Sequence, residues 1–115
     1  MNEAEEIRVE SEAIGDAVVV RPMGEIDLSR APSLRVQLAE LQRRRPAKLI
    51  IDLEEVPYMD SSGVATLVEA MQTARRSNTR LLLCAMQDKV RSIFEIARLD
   101  MVFDIVDSRE DAMTR

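Results

Sequence analysis

The sequence predicts a small α/β domain with a mixed, mostly parallel sheet. Apolar runs alternate with stretches of helical spacing in the order ββαβαβαβ(α). The central runs "KLIIDLEEV" and "TRLLLCAM" are continuously apolar, as strands covered on both faces are. A Gly15-Asp16 turn between the first two strands adds an antiparallel hairpin.

Ile7 to Glu12 alternates weakly through Ile7 and Val9 and is expected as an edge strand, followed by a buried strand from Ala17 to Arg21. Pro22 and Gly24 punctuate the chain before "GEIDLSRAP". A helix over 31–44 follows, with Ala31, Leu34, Leu38 and Leu41 on one face. Ser29 or Asp27 could cap it, and Pro32 is tolerated in its first turn. Arg43, Arg44 and Arg45 are expected in its last turn, where cations suit the helix dipole. After the strand from Lys48 to Val56, "VPYMD" leads into a helix over 62–77 with Val64, Leu67, Val68 and Met71 on one face. It stops at Asn78. The strand over 79–86 precedes a helix over 89–98, capped by Asp88 and carrying Val90, Ile93, Phe94 and Ala97 inward. "MVFDIV" is the last strand and "DSREDAM" a closing helical turn or two. Cys84, Met71, Met86 and Phe94 are expected in the core.

The chain has 115 residues, which suits one domain spanning 1–115, with a core over about 7–112. Aromatic residues are only 3%, so the core must be aliphatic. The net charge of −5 argues against nucleic acid or an anionic membrane as a partner. The apolar runs are too short to span a bilayer, and the acidic start lacks a signal-like apolar segment. A single cysteine forms no internal disulfide, and a cytoplasmic setting is expected. The absence of histidine removes Ser-His-Asp and Cys-His arrangements and leaves little for a zinc or copper site. Neither a cofactor nor a catalytic residue is expected.

One stretch concentrates chemistry: "YMDSSGVATL", residues 58–67. It lies after the carboxyl end of a parallel strand, where α/β sheets place their functional loops. Asp60, Ser61 and Ser62 are each good helix caps. A cap accounts for one of them, and leaves Gly63 as a cost to the helix start. A nucleophilic serine needs a neighbouring base, and no motif supplies one. A serine at a helix N-terminus facing free backbone N–H groups also suits a phosphate, which would add about −1.5 to −2 charges there.

"GEID", "LIIDLEEVPYMDSSGVATL" and "LLLCAMQDKVRSIFEIARLD" together resemble the STAS domain, and most of all the free-standing bacterial anti-sigma factor antagonists. The resemblance covers about residues 7–112. It implies a non-enzymatic protein that, unphosphorylated, binds an anti-sigma factor that is also a GHKL-type serine kinase, freeing a sigma factor. It implies phosphorylation at Ser61, reversal by a PP2C-type phosphatase, and partner contacts at Glu25, Asp27, Asp60, Ser61, Ser62 and Gly63. An accessory STAS subunit of an ABC-type lipid transport system or of a stress-sensing complex is the alternative, and the oligomeric state is left open.

Overall fold

The hairpin expected at Gly15-Asp16 starts the sheet. In the computed structural model, which describes residues 5–115, β1 (Arg8–Ile14) pairs antiparallel with β2 (Ala17–Met23). Gly15 takes φ +61°, a left-handed turn conformation open to glycine at little cost. The first four residues of the acidic N-terminus, part of the stretch read as lacking a signal segment, lie outside the described residues.

β3 (Lys48–Asp52), β4 (Arg80–Cys84) and β5 (Asp104–Val106) then add in parallel, giving a five-stranded sheet in sequence order. The crossovers are α1 (Ala31–Gln42), α2 (Ser61–Arg76) and α3 (Asp88–Ile96). Every crossover steps the same way along the sheet. With right-handed connections, this puts all three helices on one face. Leu34, Leu38, Leu67, Met71, Val90 and Phe94 pack there against Val18, Val20, Leu49, Ile51, Leu81 and Leu83.

The opposite face carries Val19, Ile50, Leu82, Cys84 and Val106 beneath Ala112 of α4 (Arg109–Thr114). Successive residues of β3 and β4 thus meet apolar cover on alternate sides, which explains their unbroken apolar runs. Two polar clasps hold the six-residue α4: Arg109 Nε donates to the buried Asp52 Oδ2 at 3.1 Å, and Lys48 Nζ donates to the carbonyls of Ala112, Met113 and Arg115. Cys84, Met71, Met86 and Phe94 are buried as expected.

Several local expectations shift. β1 extends to Ile14, and Ile7 is buried just ahead of it. α1 stops at Gln42, with Arg43 at its C-cap and Arg45 at φ +50°, so the arginine run lies past the last turn. The chain has already turned toward β3 there, with Ala47 N–H bonded to the Asp16 carbonyl. β3 ends at Asp52, although Leu53 and Val56 stay buried in the loop beyond it. Gln87, not Asp88, sits at the N-cap of α3 and makes no side-chain cap; its amide donates instead to the Glu54 carbonyl at 2.8 Å, pinning the helix start to the loop after β3. α3 ends at Ile96, which leaves Ala97 exposed at the C-cap. Residues 99–101 form a 3₁₀ turn after Arg98 at φ +60°, shortening the last strand to three residues. Phe103 still reaches the core, edge-on to Phe94 at a centroid distance of 5.5 Å.

Candidate functional site

Two loops leave the carboxyl ends of the neighbouring strands β2 and β3, residues 24–30 and 53–60. The backbone knits them together: Gly24 N–H donates to Glu55 O (2.9 Å), Ile26 N–H to Tyr58 O (3.1 Å) and Asp60 N–H to Ile26 O (3.1 Å). Ile26 and Met59 form a parallel bridge and are both fully buried, so the two loops share one apolar base.

Gly63 makes this closeness feasible. A Cβ there would lie 2.9 Å from Ile26 Cγ2, from the Ile26 carbonyl and from Met59 Cβ. The glycine that costs the helix start therefore admits the chain's own neighbouring loop.

The three candidate caps resolve to Asp60. Its backbone is extended, and its Oδ1 accepts from Ser62 N–H (2.8 Å) and Gly63 N–H (3.4 Å). Its Oδ2 accepts from Leu28 N–H at 3.1 Å, tying the cap of α2 to the loop after β2. This corrects the expectation of free N–H groups facing a phosphate at Ser61, because Asp60 already occupies those of Ser62 and Gly63. Ser61 is exposed, and no hydrogen bond to its hydroxyl is present among the described residues. Ser62 is half-buried, its carbonyl accepting from Thr66 Oγ1 at 3.0 Å.

Asp27 caps its own turn rather than α1, whose N-cap, Arg30, makes no side-chain bond to the helix start. Its Oδ1 accepts from Ser29 N–H, Ser29 Oγ–H and Arg30 N–H. The Ser29 hydroxyl, with the two backbone N–H groups and the Arg30 charge, holds this carboxyl below its ordinary 3.8, against the opposing effect of burial. Glu25 is exposed, and its backbone carbonyl accepts from Arg30 Nη1 at 3.2 Å.

The fold thus sets Asp27 of the first loop beside Asp60, Ser61, Ser62 and Gly63 of the second, with Glu25 two residues before Asp27. It keeps Lys48 away from Ser61, since Lys48 Nζ caps the C-terminus of α4. Nothing in this arrangement activates a serine for attack. It presents the Ser61 hydroxyl to solvent at the start of α2.

Sequence reasoning missed Leu28 and Tyr58, which stand 75% and 44% exposed beside this surface. The signal for Leu28 was its place outside the apolar spacing of α1, in an otherwise polar turn. A leucine there has no reason to point inward.

The STAS domain family model matches residues 8–112. The chain belongs to the STAS domain family. This STAS domain is 34% identical over 90 residues to an anti-sigma-B factor antagonist of Listeria monocytogenes, covering 78% of this chain and 79% of that one. It superimposes with a TM-score of 0.87 on an anti-sigma factor antagonist from Mycobacterium paratuberculosis, at 26% identity over 94% of this chain and 92% of that chain. It also shares its fold with the Bacillus cell fate determinant SpoIIAA in its phosphorylated form, at a TM-score of 0.70 and 23% identity, covering 95% and 97% of the two chains. No helix among the described residues is long and apolar enough to cross a membrane.

Proposed function

We propose that this STAS domain is an anti-sigma factor antagonist whose grip on its anti-sigma factor is switched by phosphorylation of Ser61. The observation that carries the reading is the exposed Ser61 hydroxyl, set beside the Asp60 cap and flanked by the exposed Leu28 and Tyr58. Unphosphorylated, this surface binds an anti-sigma factor that is also a GHKL-type serine kinase, and a cytoplasmic sigma factor is released. Glu25, Asp27, Asp60, Ser61, Ser62 and Gly63 form or shape the contact. The protein acts as binding module and as substrate, not as catalyst.

The physics of the switch is charge burial. A phosphoserine brings about −1.5 to −2 charges, next to the Asp60 carboxylate that already occupies the helix N-terminus. In solvent the protein tolerates this, and the relative known in a phosphorylated form supports the fold's tolerance. Under a docked partner the same charge must be desolvated without a counter-charge, costing several kcal/mol. A loss of about 3 kcal/mol weakens binding by a hundredfold or more. A PP2C-type phosphatase restores the binding form.

Incubation with the cognate GHKL kinase and ATP should add one phosphoryl group, located at Ser61 by mass spectrometry. No modification by a kinase shown to be active would overturn the switch. Ser61→Asp should lose the partner while keeping its melting temperature, and Ser61→Ala should bind constitutively.

A further inference from the structure

Where α3 gives way to the 3₁₀ turn, three large apolar side chains face water. Ile96 is 85% exposed, Met101 79% and Val102 42%. The segment that carries them is held in place. Arg98 N–H donates to Glu95 O at 3.1 Å and Val102 N–H to Leu99 O at 3.0 Å. Leu99 packs against the core, and Phe103 is buried edge-on to Phe94. The turn is thus anchored from the inside while its other apolar side chains point outward. Clustered apolar exposure of this kind marks an interaction surface.

We infer that this patch is the interface of a symmetric homodimer, covered by the same turn of a second copy of the chain. The charges flanking the patch select that occupant. Arg98 and Asp100 are both exposed, and the ion pairs among the described residues include neither. A basic partner would be opposed by Arg98 and an acidic one by Asp100, so a partner of either single sign is disfavoured. About a two-fold axis, residue i of one copy meets residue j of the other, and j meets i. Arg98 then faces the second copy's Asp100, twice over, with the apolar side chains at the centre. The patch also adjoins β5, which pairs with β4 alone and leaves an open strand edge beside it. Three side chains supply less than the about 800 Å² per partner of a standard interface. The dimer is therefore weak, with a Kd on the order of 10 µM or above. The turn precedes β5, so it lies at the opposite end of the parallel strands from Ser61, which follows β3. Dimerisation leaves Ser61 open and does not rest on the antagonist reading.

Sedimentation equilibrium of the full chain from about 1 µM to about 1 mM tests this. The parent should pass from monomer to dimer across that range. Ile96→Asp and Met101→Asp put a charge into the apolar centre and should each weaken the dimer by about tenfold or more. Both positions are exposed, so circular dichroism should show both variants melting within about 2 °C of the parent. Arg98→Asp and Asp100→Arg each set like charges against one another across the axis and should also weaken the dimer. Aspartate tolerates the left-handed φ of +60° at position 98. Combining the two substitutions in one chain restores opposite charges across the axis and should restore the parent's dimerisation. A parent that stays monomeric throughout would overturn the inference, as would a dimer that persists in both Ile96→Asp and Met101→Asp. A double variant that dimerises no better than the single charge variants would overturn the two-fold pairing of Arg98 with Asp100, and the choice of a second copy with it.

Discussion

Replacing Gly63 by alanine sets two effects against each other. In an exposed helix interior the substitution gains about 1 kcal/mol, because glycine costs that much relative to alanine. At Gly63 the added methyl would sit 2.9 Å from three atoms, where ordinary contact begins at 3.4 Å, so its neighbours must withdraw by about 0.5 Å. Two of these atoms, the Ile26 carbonyl oxygen and Met59 Cβ, cannot rotate aside as a side-chain tip would. They belong to the segments that the Asp60 N–H to Ile26 O bond holds together. Overpacking of this kind costs about 1–3 kcal/mol. The first-turn position also trims the propensity gain. The clash should therefore win, with Gly63→Ala less stable by about 1–2 kcal/mol, or about 4 °C in melting temperature per kcal/mol. Urea unfolding followed by circular dichroism measures it. A variant as stable as the parent would refute the argument, since it would mean the two loops separate at no cost.

Asp60→Ala removes a helix cap and the tie to Leu28, and should cost about 1–2 kcal/mol in the same unfolding assay. It should also speed amide exchange at Leu28. Asp27 should titrate below 3.8 when followed by carboxyl-carbon NMR. Because its folded value is depressed, its contribution to stability is present above the unfolded value and is lost as pH falls through the folded one, so Asp27→Asn should flatten the acid limb of the stability profile. Burial, reinforced by the Asp52 charge, pushes the Cys84 thiol up to about 12. Iodoacetamide at neutral pH should therefore leave Cys84 untouched in the native protein and label it in denaturant.

Much of the loop surface around Ser61 is legible in the residues themselves. Asp60, Ser61 and Ser62 ahead of a helical pattern already mark a helix start on a loop after a parallel strand. The periodicities place the strands and helices because each reflects neighbours within a turn or a pleat, and they missed by a few residues where a tertiary bond took over. At Gln87 the amide that caps no helix is committed to Glu54. At Arg98 a left-handed residue opens a 3₁₀ turn that shortens the last strand.

The sequence by itself determined the alternating α/β order and the aliphatic core, since both depend on local residue types and spacing, whereas the expectation of Ser61 over Ser62 came from the resemblance to the STAS domain. Tertiary structure decided that the Asp60 cap is tied to Leu28, why Gly63 must lack a side chain, and that Leu28 stands exposed on the loop beside Asp60. Those facts depend on contacts across two loops more than thirty residues apart in the chain. Such loops meet because β2 and β3 are parallel neighbours in one register, a relation no local pattern encodes.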